Sequence, residues 1–488
     1  MSSVPDMSWL GLSWPHASFV IPALAVFVLV LIRNYRVGAT INICASAASF
    51  LAALCLLFVE RSRTDIVLVD DFNIYLVILT TFVAFTTSVF SATYIGHELT
   101  TGRLSPNFLR YYHALYQAMI GAMSVALLAN NVGLLWVGVE VATLSTVLMV
   151  GIYRTPEAIE AAWKYFILGS VGIGLAFFGT IVIYVVAQDV LGEGLQAMAW
   201  DSMRANAGRF DPGLMSLAFV FILVGYGTKV GLAPFHAWLP DAHAEGPTPI
   251  SAVLSGLLLN VALYALLRFK MLMAAAPATL NVGVIMGALG LVSLAFAAFM
   301  MYRRRDIKRL FAYSSIEHMG IMTFAFGIGG PVANFAGLLH MTLHSLTKSA
   351  IFFAVGHVVQ VKGTQRIADI RGLSSSHPVL AAGLALGVIA IAGLPPFGMF
   401  LTEFMLVTST FVRHPALALV LVAGLLLALG ALILRLQGVL FGEPTGPAGE
   451  VKASYVPMFV HLILVLIAGV WLPDPIVRWF RAVATQLG

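Results

Sequence analysis

The chain has little charge. Of its 488 residues, only 10% are Asp, Glu, Lys or Arg, where soluble proteins carry about 25%. That leaves too little polar surface to cover a water-exposed globule, and it excludes a disordered chain. Cysteine is scarcer still. There are two, Cys44 and Cys55, and no CxxC pair. A disulfide scaffold is therefore excluded, and so is a thiolate cluster for an iron–sulfur centre. Both cysteines read as buried core residues. Nucleotide fingerprints and loops long enough for a soluble domain are also missing. What is abundant is apolar residues, 60% of the chain, with a mean hydropathy of +0.94. A polytopic membrane protein is the class that fits. The net charge of +5 does not point to nucleic acid, because the basic residues flank apolar runs as topology anchors.

A spanning helix takes about 20 apolar residues. Fourteen stretches qualify: 15–33, 38–59, 71–95, 111–129, 131–152, 161–187, 213–233, 247–269, 280–302, 310–329, 331–360, 376–410, 414–440 and 454–472. The expected fold is all-α with about 14 transmembrane helices. The first run is preceded by Asp6 and no Lys or Arg, and reads as a retained span. The longest polar stretch, 188–212, reads as a connection with a short surface helix. The loops after spans 1, 3, 9 and 11 hold Arg33 and Arg36, Arg103 and Arg110, the cluster Arg303, Arg304, Arg305, Lys308 and Arg309, and then Lys362, Arg366 and Arg371. Odd-numbered loops are thus expected to face the cytoplasm and both termini the other side. Arg61 and Arg63, after span 2, dissent.

Two segments interrupt the apolar pattern. Gly227–His236, at the end of span 7, contains Pro234, and span 12 contains Pro395 and Pro396 within Ala392–Gly398. Proline removes a backbone donor, and in a bilayer the freed carbonyls need partners from protein or water. The breaks lie five spans apart and beside Lys229 and Glu403. Two repeated five-helix units would produce this pattern, each with one discontinuous helix at a transport path. Two ordinary proline kinks are the plainer alternative.

A charge at bilayer depth is costly, at least about 2.5–3.5 kcal/mol. Each is therefore a functional candidate unless it snorkels to the interface. Glu140 sits near mid-span. Lys164 lies one turn into span 6, where pairing with Glu160 is the competing explanation. Lys229 is deep in span 7. His340, His344 and Lys348 follow one another at i, i+4 and i+8, which puts all three on one face of span 11. A proton wire suits that line, since neutral imidazole both donates and accepts; plain packing is the alternative. A metal suits it less, because Lys348 repels a cation and no carboxylate is near in sequence. His357 would extend the line. Glu317 and His318 lie in span 10, and Glu403 follows the second break. Arg268 and Lys270 read as interface anchors closing span 8. Asp241, His243 and Glu245 form either the mouth of a path or a solvated turn.

The stretch Lys229–Gly256, KVGLAPFHAWLPDAHAEGPTPISAVLSG, and the block Asp306–Gly320, DIKRLFAYSSIEHMG, closely resemble the signatures of the antiporter-like subunits. These are shared by respiratory complex I, Mrp sodium/proton antiporters and membrane-bound NiFe hydrogenases. The resemblance runs from about span 3 to span 13. Within the family the chain is most similar to the hydrogenase-4 component F type, by Tyr153–Phe166, Glu317 before His318, and His340–Lys348. The resemblance implies fourteen helices with two inverted five-helix repeats. The expected domains are 1–110 (helices 1–3), 111–270 (first repeat, helices 4–8), 271–441 (second repeat, helices 9–13) and 442–488 (helix 14). It also implies an ion pair between Glu140 and Lys229, a central lysine at Lys348 and a terminal residue at Glu403. Many complex I relatives carry Lys or His in span 8 where this chain has Asn260. Asparagine takes no net proton, so the link between half-channels would rest on water and neighbours such as His318.

The function expected from these readings is a proton-translocating subunit of a redox-driven membrane complex of hydrogenase-4 or complex I type. The expected path runs through Glu140, Lys164, Lys229, His318, His340, His344, Lys348 and Glu403. No redox centre, catalytic residue, cofactor or metal is expected in this chain. The expected partners are other membrane subunits and peripheral iron–sulfur, NiFe-type or NADH dehydrogenase-type subunits, in a bacterial-type inner membrane. An Mrp-type Na+/H+ antiporter subunit and a non-pumping scaffold for a hydrogenase are the alternatives.

Overall fold

The computed structural model describes residues 13–277, 279–446 and 449–488. Asp6 and the other residues up to 12, which the expected first domain includes, lie outside the described residues. The helices in chain order are α1 (Trp14–Leu31), α2 (Tyr35–Cys55), α3 (Asp71–Thr100), α4 (Pro106–Leu128), α5 (Val132–Val150), α6 (Pro156–Leu191), α7 (Trp200–Asn206), α8 (Pro212–Val230), α9 (Trp238–Glu245), α10 (Thr248–Val253), α11 (Leu259–Ala275), α12 (Val282–Tyr302), α13 (Ile307–Ile328), α14 (Gly330–Lys362), α15 (Leu373–Ser376), α16 (Pro378–Ile391), α17 (Gly398–Arg413), α18 (Pro415–Phe441), α19 (Val456–Val470) and α20 (Asp474–Gln486). Among the described residues, ten helices are long and apolar enough to cross a membrane, or eleven if the bent pair α19–α20 is one span. The chain is a multi-pass membrane protein. Expected spans 7 and 12 are each split: α8 stops at Val230 and α9 starts at Trp238, with Pro234 between, and α16 stops at Ile391 and α17 starts at Gly398, with Pro395 and Pro396 between.

By contacts the chain divides into two units. The first comprises Met1–Ser88, Glu98–Val230 and Leu258–Val282. Its central seam runs between α6 and α8 and is made of small residues. A Cβ on Gly225 would stand 2.5 Å from the Ala176 nitrogen, one on Gly172 2.6 Å from the Thr228 side chain, and one on Gly179 2.7 Å from the Ala218 carbonyl oxygen. Small residues let helix backbones approach where lipid offers no competing hydrophobic drive. The loops after spans 2, 4 and 6 meet on one face, through bridges Val67–Ala129 and Asn131–Ala199 and through Asn130 Nδ2, which donates to Thr64 O and Asp201 Oδ1 at 2.6 Å each.

The second unit comprises Val89–His97, Gly231–Leu257 and Gly283–Gly488. Its axis is the 33-residue α14, packed by α10, α13, α16, α17, α19 and α20. The Leu254–Leu258 turn continuing from α10 is a π-helix, a form frequent at functional sites. Ser345 of α14 donates to Gly256 O and Ser349 to Ala252 O, so α14 hydroxyls satisfy carbonyls around this turn. The loops after spans 9 and 11 meet through the bridge Asp306–Arg366 and Ile367 N donating to Arg305 O.

Several expectations change. The cysteines are not core residues: Cys44 is exposed and Cys55 partly so. In a membrane helix an apolar stretch is no sign of burial, because the outer face meets lipid. Arg268 is no interface anchor. It is 2% exposed, pairs bidentately with Asp70 at 2.7 and 2.9 Å, and is enclosed by the Phe72, Trp200 and Tyr264 rings. Its planar fork matches a carboxylate and stacks on aromatics, as lysine cannot. Lys270 is buried as well, at 8%. Of the basic cluster, Arg303 and Arg305 are exposed, but Lys308 is buried and donates to Ala244 O and Gly246 O. It thereby caps the C-terminal carbonyls of α9 with a cation. Beyond α19 the chain bends by 83° into α20, whose Phe480, Val483 and Ala484 are buried. Asn334 of α14 donates to the Ala484 carbonyl at 3.0 Å.

Candidate functional site

Lys229 occupies the last turn of α8, where the negative end of the helix dipole favours a cation. Its Nζ donates to Glu140 Oε2 on α5 at 3.2 Å, with side chains 1% and 15% exposed. Each charge offsets the burial cost of the other. The ammonium rests over Gly169 of α6, where a Cβ would come within 3.0 Å of Nζ. Trp136 Nε1 donates to Ile173 O at 2.7 Å and so fixes α5 on α6. Lys164 turns outward instead. Its side chain is 47% exposed and its Nζ lies 2.6 Å from Glu160 Oε1, one turn back. The inner face of α6 is taken by its small-residue seam, so a long side chain at 164 has its room outside. Asn260 is buried near the start of α11.

In the second unit, α13 and α17 close on the polar line of α14. His318 Nδ1 and His340 Nε2 are 3.0 Å apart, and His340 Nδ1 is 2.9 Å from Thr402 Oγ1. Thr402 donates its own hydroxyl to Met399 O at 2.8 Å, so it accepts from His340. That leaves Nδ1 of His340 protonated and Nε2 accepting from His318. The His344 ring lies 5.6 Å from the His318 ring, centre to centre. Lys348 is fully buried; its Nζ donates to Phe311 O at 2.9 Å and lies over that residue's ring. Glu317 Oε2 stands 3.7 Å from His318 Nε2. The Glu403 carboxylate lies directly against Gly393 in the second helix break, where any Cβ would overlap it. Gly393 holds φ +64, a left-handed conformation that glycine takes without steric cost.

His357 is packed against the Phe90 and Tyr455 rings. His243 stacks on Phe352. Asp241 and Glu245 both pair with Arg309, at 3.2 and 3.1 Å, so they tie α9 to α13. Two residues of the second cluster were not singled out from the sequence. Gly393 lies in the double-proline break and Thr402 immediately before Glu403, so proximity to those signals was the available hint. Chemically, a chain of neutral imidazoles and a hydroxyl passes protons by successive donation and acceptance.

The profile of a protein family described as NADH:quinone oxidoreductase/Mrp antiporter, transmembrane, matches residues 129–428. The hydrogenase-4 component F homolog of Methylacidiphilum infernorum (isolate V4) is 58% identical over 465 residues, covering 95% of this chain and 98% of the relative. The chain belongs to this antiporter-like family. Its fold is shared with a subunit of the archaeal membrane-bound sulfane sulfur reductase, a respiratory membrane complex (TM-score 0.84, 20% identity, 97% of each chain). It is shared equally with a subunit of respiratory complex I from Thermus thermophilus (TM-score 0.81, 20% identity, 96% of this chain and 99% of that one). Both clusters fall within the stretch that the family profile matches. The antiporter-like subunits it resembles work within multi-subunit membrane complexes, and this chain is an antiporter-like membrane subunit.

Proposed function

We propose that the chain translocates protons as the pumping subunit of a redox-driven complex of hydrogenase-4 or complex I type. The observation that carries this reading is that a buried ionisable cluster lies beside each of the two helix breaks: Glu140–Lys229 at the first, and the His318–His340 pair with Glu403 at the second. Opening of the Glu140–Lys229 pair changes the electrostatic cost of a proton on the lysine. At 3.2 Å and an effective dielectric of 20, the attraction is about 5 kcal/mol. Moving one proton against 180 mV takes roughly 4 kcal/mol; drawing the pair apart to about 6 Å changes the lysine's proton affinity by only about 2–3 kcal/mol, so this pair works together with the charges of the second cluster. In the second unit His318, His340 and His344 carry the proton toward Glu403, with Lys348 as the central charge. The two breaks belong to two inverted five-helix repeats, spans 4–8 and 9–13. Both termini face the non-cytoplasmic side of a bacterial-type inner membrane, and electrons are handled by peripheral iron–sulfur and NiFe-type or NADH dehydrogenase-type partners.

The test is proton uptake by inside-out vesicles holding the assembled complex. Lys229→Ala abolishes donor-driven uptake while the complex stays assembled. Uptake that survives this change leaves the chain a scaffold. Proton flux that needs Na+ or K+ and no electron donor makes it an Mrp-type exchanger, the second activity its family name carries.

A further inference from the structure

Spacing along α14 spoke against a metal at His340 and His344, since no carboxylate lies nearby in sequence. Folding changes the donor set. One nitrogen each from His318 and His340 and a carboxylate oxygen of Glu403 all lie within 4.8 Å of one another, and the two nitrogens are 3.0 Å apart. Two imidazoles on one tetrahedral ion, each about 2.0–2.1 Å from it, stand about 3.3 Å apart. The pair is thus already near ligating distance, and a Glu403 oxygen lies within 4.8 Å of both nitrogens.

The far nitrogens are provided for as well. A ligating imidazole needs an acceptor for its other N–H. His340 has Thr402 Oγ1 at 2.9 Å. His318 Nε2 and Glu317 Oε2 face each other at 3.7 Å. Shifting the His318 proton from Nδ1 to Nε2 frees Nδ1 for a metal and aims an N–H at Glu317, with no net proton released. Lys348 is the opposing charge. Its ammonium is engaged by the Phe311 carbonyl, and the Glu317 and Glu403 carboxylates offset a dication.

We propose that His318, His340 and Glu403 form a binding site for a borderline transition-metal dication of the Zn2+ class. Imidazole nitrogen selects such ions over Na+, Mg2+ or Ca2+. An ion there takes both histidines out of the relay and blocks proton passage through the second unit. The block rests on the proposed proton path; the binding does not.

The experiment is Zn2+ titration of the full-length chain in mild detergent, against a competing chelator, with X-ray absorption at the zinc edge. One Zn2+ is expected, with imidazole scattering from two ligands at about 2.0–2.1 Å. His318→Ala and His340→Ala each weaken binding at least tenfold. Thr402→Val, which keeps shape and all three ligands, weakens it by about 10–100-fold. His113→Ala, which removes a buried histidine of the first unit, leaves it unchanged. The site is overturned by absence of binding, by a zinc spectrum without imidazole, or by binding that none of the three site variants alters. The wild-type spectrum decides even where a histidine variant fails to fold. Zn2+ bound as described that leaves proton flux untouched refutes the relay through this cluster and leaves the site standing.

Discussion

Removing one partner of Glu140–Lys229 and removing both have different consequences. The pair joins a side chain that is 1% exposed to one that is 15% exposed, across 3.2 Å. At an effective dielectric of 20 its Coulomb energy is about 5 kcal/mol. Most of that offsets the cost of taking two charges out of water. E140Q or K229M alone therefore leaves a buried charge without its counter-charge and destabilises by about 3–5 kcal/mol. The double variant removes both charges and keeps the volumes, so its stability returns to within about 1 kcal/mol of the wild type. Proton translocation does not return, because neither residue can hold a proton or a compensating charge. The assay pairs denaturant or thermal unfolding in mild detergent with proton uptake by reconstituted vesicles, for all four proteins of the cycle. A double variant that recovers both stability and uptake refutes the ion pair's role in transport. Single variants as stable as the wild type refute its burial.

Asp70→Asn leaves Arg268 buried without a counter-charge, and a loss of about 3–5 kcal/mol is expected in the same unfolding assay. Burial works against the Asp70 carboxylate, but the charge and hydrogen bonds of Arg268 outweigh it and hold the carboxyl below its ordinary range. The pair's stabilisation is therefore full above about pH 3.9 and is lost as pH falls through the depressed value; Asp70→Asn flattens that acid limb. Gly393→Ala puts a methyl into the Glu403 carboxylate and costs a further 1–2 kcal/mol or so for the left-handed backbone. Loss of proton uptake with assembly retained is expected, and unchanged uptake would show that Glu403 is not held there. Lys308→Met takes the donor from the Gly246 carbonyl and leaves the Ala244 carbonyl to Gln365 alone; a cost of about 1–3 kcal/mol is expected, measured as a lowered unfolding midpoint in detergent.

Sequence reading did best where lipid imposes the rule. A charge in an apolar run is rare enough to signal itself, and Glu140, Lys229, His340, Lys348 and Glu403 stood out on that ground alone. Proline marked both helix breaks, because it cannot continue the backbone ladder. It did poorly wherever inside and outside of the bundle had to be told apart. Lipid and core are equally apolar, so Cys44 reads no differently from a core residue, and Lys164, with Glu160 one turn away, stays undecided between path and surface pair. Arg268 was misread for the opposite reason: its partner Asp70 lies 198 residues away, and no local pattern announces such a pair. The amphipathic face of α20, with Ile476, Phe480, Val483 and Ala484 at helical spacing, follows the last long apolar run and is too short and polar to read as a span. The meeting of His318 with His340 depends on the crossing of α13 and α14, which spacing cannot supply.

The seam between α6 and α8 limits how Lys229 can be worked. Backbones that touch through Gly172, Ala176, Gly179 and Gly225 have no cushion of flexible side chains between them. Neither helix can roll or ratchet past the other without collision. On the proposed proton path, whatever drives Lys229 acts on this fixed α6–α8 frame, and the working stroke belongs to the lysine's own four-carbon arm and to the carboxylate opposite. Such a machine wears its moving parts on the side chains, and helix tilt recorded through the cycle would stay flat while the arm swings.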